Sequence, residues 1–270
     1  MKDLIIIRGA GDISTGTICR LFRAGFPVIA LETDHPSAIR RKAAFSEAVY
    51  DGTATVEDLT AVRISDAGQA ENVLRQGKVP LLTDPAGESI RQLKPKVLVD
   101  AILAKKNLGT HMEMADLTIA LGPGFEAGRD VHYVIETMRG HNLGRIISSG
   151  FAAPNTGIPG IVGGYGAERV IHSPADGVFR PVREIADEVR AGETIGTVND
   201  GTEEIPVRTL ISGILRGIIR DGYPVSKGFK LADVDPRLEE KQNCFTISDK
   251  ARCIAGSVLE LACGYFRRQG

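Results

Sequence analysis

Gly9-Ala10-Gly11-Asp12-Ile13-Ser14 follows an apolar run, Leu4-Ile5-Ile6-Ile7, and opens a segment with apolar residues at helical spacing. In that context a G-x-G turn lets backbone N–H groups approach a phosphate, whose charge meets the free donors of a helix N-terminus. Gly9 and Gly11 would permit the close approach, Asp12 begins the helix, and Ser14 stands where a third glycine would be, with Gly16 two residues on. Glu32 ends the next run, Val28-Ile29-Ala30-Leu31, at the distance of about 20 residues where a carboxylate can accept hydrogen bonds from ribose hydroxyls. Arg40 and Arg41, followed by Lys42, could hold a 2′-phosphate or another anion, a reading that competes with Glu32, which would repel it. The bland alternatives are a tight strand-to-helix turn without a ligand and a solvated basic face. Thr83-Asp84-Pro85 and Gly122-Pro123-Gly124-Phe125 each end a further apolar run, so Asp84, Gly122 and Gly124 fall on the carboxyl edge where open α/β sheets bind ligands, or else in plain turns.

Other side chains add little chemistry. The five histidines form no ligand set; His111-Met112-Glu113 has the H-x-E of a zinc deaminase, but no P-C-x-x-C follows. Cys19, Cys244, Cys253 and Cys263 contain no C-x-x-C pair, which argues against a disulfide framework or a structural zinc and for a reducing cytoplasm. Cys244 falls in a loop, where a reactive thiol would suit the handling of sulfur or selenium and a buried structural thiol is the alternative. There is no Ser-His-Asp arrangement, P-loop or carboxylate cluster, so any catalysis would draw on a bound cofactor. Whether a reaction is catalysed is left open.

The elements that must position these residues are legible as runs. Leu4–Ile7, Pro27–Leu31, Val79–Leu82, Val97–Val99 and Leu117–Leu121 are continuous and apolar, as strands buried on both faces are, and helical patterns lie between them at about 13–24, 66–76 and 89–93. They predict an α/β protein with an N-terminal Rossmann-like nucleotide-binding domain over 1–125. Glycine is dense from Gly122 to Gly166, which predicts turns and short strands in a linker segment over 126–171, including a hairpin from Val131–Thr137 and Leu143–Ile147 and a hinge or cover near 150–166.

An internal repeat follows. Gly177-Val178-Phe179-Arg180 recurs as Gly213-Ile214-Leu215-Arg216, a shift of 36 residues, and the same shift carries Val189, Gly192, Ile195 and Val198 to Val225, Gly228, Leu231 and Val234. Two such halves predict an all-β domain over 172–235 resembling the barrel-sandwich hybrid of biotinyl and lipoyl carriers. Its connector, Asn199 to Leu210, lacks the lysine that would carry the prosthetic group. A loop and terminal helix over 236–270 close the chain, with Ser248 as N-cap.

Composition bounds the classes. With 33 Lys+Arg against 34 Asp+Glu the net charge is −1, which excludes the broad basic field of a nucleic-acid binder. No uncharged apolar stretch approaches the ~18 residues that span a bilayer, and the first apolar run is too short for a signal-peptide core. Glycine, at 31 of 270 residues, exceeds the average share of about 7%.

Ile7–Asp12, Pro36–Arg41, Phe45–Gly52, Leu121–Phe125, Arg139–Arg145, Pro154–Gly157 and Cys244–Ala251 together resemble the YqeB family, over nearly the whole chain. That resemblance implies an accessory protein that helps to mature or insert a selenium-dependent molybdenum cofactor, with a molybdenum hydroxylase as partner. The ligand would be a phosphate-bearing nucleotide or pterin, NAD(P) or a molybdopterin-type molecule. The alternatives are an NAD(P)-dependent oxidoreductase of a small metabolite and a non-catalytic nucleotide-binding regulator. A homodimer is left open.

Overall fold

The computed structural model describes residues 1–157 and 159–269; residues 158 and 270, in the expected 126–171 and 236–270 segments, lie outside the described residues. Two compact units result. Met1–Pro36, Ala44–Thr156 and Ile247–Gly270 form the first, and Ser37–Ala43 with Gly157–Thr246 form the second.

The first unit runs β1 (Ile5–Arg8), α1 (Asp12–Arg23), β2 (Val28–Glu32), α2 (Ala48–Asp51), β3 (Thr53–Val56), β4 (Leu59–Ile64), α3 (Ala70–Arg75), β5 (Val79–Thr83), α4 (Glu88–Leu93), β6 (Val97–Asp100), β7 (Leu117–Leu121), β8 (Glu126–Ala127), β9 (Tyr133–Ile135), β10 (Ile146–Ile147), β11 (Gly150–Phe151) and α5 (Asp249–Gln269). Nine strands make one sheet in the order β10-β9-β7-β6-β1-β2-β5-β4-β3. Pairing is parallel from β4 across to β9 and antiparallel at both edges, where β3 joins β4 and β10 joins β9. The alternation along β1 assigns the two faces. Ile5 and Ile7 pack with Ile18, Leu21, Ile254 and Val258 of α1 and α5, whereas Leu4 and Ile6 pack with Val73 and Ile90 of α3 and α4. Each fully buried isoleucine of this kind stabilises the fold by about 1.5–3 kcal/mol relative to exposure.

The expected Rossmann-like domain is corrected to a large mixed sheet. The apolar runs do form strands, but the connections depart from a regular βαβ alternation: between β6 and β7 the only helical element is a single 3-10 turn, Met112–Met114. The helix that covers this face beside α1 comes from the far end of the chain. Gly16 permits that contact, because a Cβ there would lie 2.8 Å from the Cβ of Ala251. Ser248 accepts a hydrogen bond from Ala251 N at 3.1 Å, in the manner of an N-cap.

The second unit contains β12 (Val170–His172), β13 (Gly177–Pro181), β14 (Glu188–Val189), β15 (Thr194–Asn199), β16 (Glu204–Arg208), β17 (Gly213–Ile218), β18 (Pro224–Val225) and β19 (Lys230–Asp235). They form two four-stranded antiparallel sheets, β12-β19-β17-β14 and β16-β15-β13-β18. The 36-residue repeat is visible in the pairing: β13 lies between β15 and β18, as β17 lies between β19 and β14. The expected barrel-sandwich-hybrid-like domain is corrected to this pair of sheets. Strands that the repeat does not generate, β16 and β12, extend each of them at one edge.

Candidate functional site

In the first unit, β1 is followed laterally by β2 on one side and by β6 on the other, so the order of the chain reverses between β1 and β6. The carboxyl ends of these strands carry the glycine turn. Gly9 has φ +97°, and a Cβ there would meet the carbonyl oxygen of Ala101 at 2.7 Å, so the turn is fitted against the end of β6. Gly11 differs: it is the N-cap of α1 in extended conformation, and a Cβ would meet nothing within 4 Å. Its N-cap residue, a glycine, has no side chain with which to cap α1. The Ser14 hydroxyl donates to the carbonyl of Gly9 and stiffens the turn from within. The carbonyl of Ala10 accepts from Ser46 N at 2.8 Å.

Glu32 closes the other side of the turn. Its carboxylate accepts from Ala10 N at 2.7 Å and from Thr33 N at 2.8 Å. Burial pushes its carboxyl above the ordinary range, and those two hydrogen bonds pull the other way. Beneath the turn Arg8 is buried; it donates to the Thr110 hydroxyl at 2.5 Å, and that hydroxyl donates to Asp100 at 2.6 Å. Arg8 also donates to the carbonyl of Pro85 at 3.1 Å. The loops after β5 and β6 are thereby tied to the end of β1. Burial raises the Asp100 carboxyl, against the pull of Thr110 and Arg8.

A residue that the motif reading did not place in the site arrives on α5. Lys250 is half-buried in the first turn of that helix, and among the described residues it forms no ion pair. Burial first, and then the charge of Arg139, lowers its ammonium below the ordinary lysine value, with Asp12, Glu136 and Asp249 opposing. Asp12 is the first residue of α1, so Lys250 lies within the electrostatic reach of that helix's N-terminus. Arg139 is committed to Asp249 through two hydrogen bonds of 2.6 and 2.9 Å. Glu136 accepts from Met138 N and Ala153 N, each at 2.7 Å, and fixes the segment after β9. The signal that could have located Lys250 was its position two residues beyond the N-cap serine, but the partner surface of α5 is not written in its own sequence.

The remaining expected site residues are placed elsewhere or given other work. Asp84 accepts from Glu88 N at 3.0 Å, from Ser89 N at 2.8 Å and from the Ser89 hydroxyl at 2.6 Å, and so caps α4. Burial would raise its carboxyl, yet the hydrogen bonds from Ser89 and Glu88 hold it below the ordinary value. Gly122 and Gly124 are packed against protein, where a Cβ would meet the Thr137 hydroxyl and Lys106 N, each at 2.6 Å. Arg40 and Arg41 belong to the second unit. Arg40 donates to the carbonyls of Asn243 at 2.9 Å and Thr246 at 3.2 Å, and Arg41 to that of Ile218 at 2.8 Å. Cys244 is buried, which raises its thiol and fits a buried structural thiol, not a reactive one.

No protein-family model matches the chain. Among curated proteins it is 47% identical over 258 residues to "Uncharacterized protein YqeB" of Escherichia coli (strain K12), which covers 96% of this chain and 47% of that protein. The chain is a YqeB homologue. It spans about half the length of that relative. Among solved structures, a succinylglutamate desuccinylase/aspartoacylase from Rhodobacter sphaeroides matches 87% of this chain and 86% of its own at 13% identity and a TM-score of 0.30. The ectoine utilization protein EutE (DoeB) from Ruegeria pomeroyi matches 86% and 57% at 14% identity and a TM-score of 0.24. An aspartoacylase family protein from Mesorhizobium loti matches 82% and 60% at 12% identity and a TM-score of 0.27.

These findings correct the functional expectation. The YqeB relative is described only as uncharacterized, and the three solved structures are described as acylase or ectoine-utilization proteins. The role in maturing or inserting a selenium-dependent molybdenum cofactor is therefore withdrawn, and neither the oxidoreductase nor the regulatory alternative is carried forward. TM-scores of 0.24 to 0.30 do not transfer hydrolase chemistry to this chain either. No described helix is long and apolar enough to cross a membrane.

Proposed function

We propose that the first unit binds a small phosphate-bearing ligand over the N-terminus of α1. The observation that carries this reading is a helix N-terminus with glycine as its N-cap at the point where strand order reverses, with open space beside Gly11 and the Lys250 ammonium in its neighbourhood. A helix start carries a partial positive charge and donors without intrahelical partners, and a phosphate satisfies both. Lys250 contributes a full charge that no acid neutralises through a direct ion pair among the described residues. Arg8, Thr110 and Asp100 hold the turn in position from below, and Glu32 fixes Ala10 from the side.

The test is calorimetric titration of the full chain with inorganic pyrophosphate. The reading expects saturable binding in the wild type and a loss of roughly tenfold or more in Lys250→Met, at the scale of one charge-assisted interaction of about 1.5–3 kcal/mol. Absence of pyrophosphate binding in the wild type, or equal affinity in the variant, overturns it.

A further inference from the structure

On the sheet edge that also carries the glycine turn, at the carboxyl ends of β4 and β5, lies a cavity of about 550 Å³ lined by Arg63, Ile64, Ser65, Gln69, Leu82 and Thr83. Three features set its chemistry. The Thr83 hydroxyl is buried and has no hydrogen-bond partner among the described residues, an arrangement that costs free energy unless something supplies the missing bond. Ile64 and Leu82, packed mainly with Val73 and Ile90, add apolar atoms to its lining. Gln69 and Ser65 are bonded to each other, Ser65 N to Gln69 Oε1 at 3.1 Å and Gln69 Nε2 to Ser65 Oγ at 3.0 Å, and each keeps further hydrogen-bonding capacity. Arg63 spends one guanidinium nitrogen on the carbonyl of Val49 at 2.8 Å and retains further donors.

The cavity is continuous in register with the proposed phosphate site. Thr83 is the strand partner of Glu32, and Glu32 holds Ala10 of the glycine turn. From the end of β1 to the β5/β4 boundary is two to three strand spacings, or about 10–14 Å at about 4.8 Å each. A neutral ring bearing several hydroxyls matches the unbonded Thr83 hydroxyl and the Arg63 donors, with Ile64 and Leu82 adding apolar atoms at the margin.

We propose that this cavity is a sugar subsite, and that the ligand is a sugar linked through a diphosphate, with the diphosphate at the α1 N-terminus and hydroxyls bonded to Thr83 and Arg63. The proposal rests on the phosphate-binding reading above. The linkage class follows from the span, which one phosphate and one sugar ring do not fill.

Two probes separate the proposals: inorganic pyrophosphate reports the α1 site alone, and ADP-ribose reports both. Calorimetry of the full chain is expected to give at least tenfold tighter binding of ADP-ribose than of pyrophosphate. Thr83→Val, which keeps the shape of the side chain, and Arg63→Met are each expected to reduce that preference threefold or more while leaving pyrophosphate affinity within twofold of wild type. A preference that survives both substitutions, or equal binding of the two probes by the wild type, overturns the sugar subsite and leaves phosphate binding standing. Failure of pyrophosphate to bind the wild type overturns the reading on which the subsite rests. Far-ultraviolet circular dichroism and the melting temperature confirm that each variant folds; should Thr83→Val not fold, Thr83→Ser, which keeps the hydroxyl and should keep the preference, and Arg63→Met decide the question.

Discussion

The two glycines of the first turn, alike in sequence, should respond very unequally to the same substitution. Gly9→Ala places a side chain at φ +97°, a region that costs an L-residue about 1–2 kcal/mol. Its Cβ would also stand 2.7 Å from the Ala101 carbonyl oxygen. Because that neighbour is backbone at the end of β6, relief requires a shift of the strand end, at about 1–3 kcal/mol for overpacking of this kind. The sum, about 2–5 kcal/mol, corresponds to a fall in melting temperature of roughly 5–15 °C for a chain of this size. Gly11→Ala meets neither obstacle: its φ is −65° and the space beyond is open. Only the weaker N-cap preference of alanine applies, less than about 1 kcal/mol. Differential scanning calorimetry of both variants decides the matter. Equal shifts, or a Gly9→Ala shift under about 2 °C, would refute the assignment of Gly9 to strand-end fitting and Gly11 to an open approach.

Further consequences concern the groups around the turn. Arg8→Met removes the counter-charge of buried Asp100 and the donor to Thr110; it should destabilise by about 3–5 kcal/mol in chemical unfolding, with partial recovery on adding Asp100→Asn. Asp84→Ala should cost about 1–2 kcal/mol through the lost cap of α4. Because the Asp84 carboxyl is held below its ordinary value in the folded state, its contribution is present above about pH 4 and lost as pH falls through the folded value. The stability gap between wild type and Asp84→Ala should therefore narrow in acid. Lys250 has a lowered ammonium value, so pyrophosphate affinity should decline as pH rises toward the ordinary lysine value of about 10.4 and begin to decline before it; Lys250→Met should abolish that dependence. In native protein a thiol reagent should modify exposed Cys253 and Cys263 quickly and reach buried Cys19 and Cys244 only after unfolding.

What the sequence made legible was local. Runs such as Leu4–Ile7 and Leu117–Leu121 announced strands because burial on both faces removes polar alternation, and Gly9 and Gly11 announced a turn because of the run before them and the helix behind. The 36-residue repeat foretold which strands of the second unit share a pairing pattern, though not the extra edge strands β12 and β16. Contacts between distant segments stayed hidden. Gly16 reads as an ordinary helix glycine until α5 is laid against it, and Lys250 reads as a surface lysine until its helix is docked on the first unit. Arg40 and Arg41 follow Glu32 closely in sequence, yet their donors bond carbonyls of Asn243, Thr246 and Ile218, so the short stretch that carries them joins the second unit. The functional expectation failed for a different reason: it was taken from resemblance rather than from a site, and the YqeB relative carries no described activity.

The central claim is that a phosphate sits over Gly11 at the start of α1, and Gly11→Val measures it most directly. The branched side chain would fill the open space beside the helix N-terminus without entering a strained backbone region or meeting a protein atom at its Cβ. Titration with inorganic pyrophosphate should show at least a tenfold loss of affinity while the melting temperature stays within about 3 °C of wild type, the shift expected for about 1 kcal/mol. Unchanged affinity in a folded Gly11→Val protein would contradict the site.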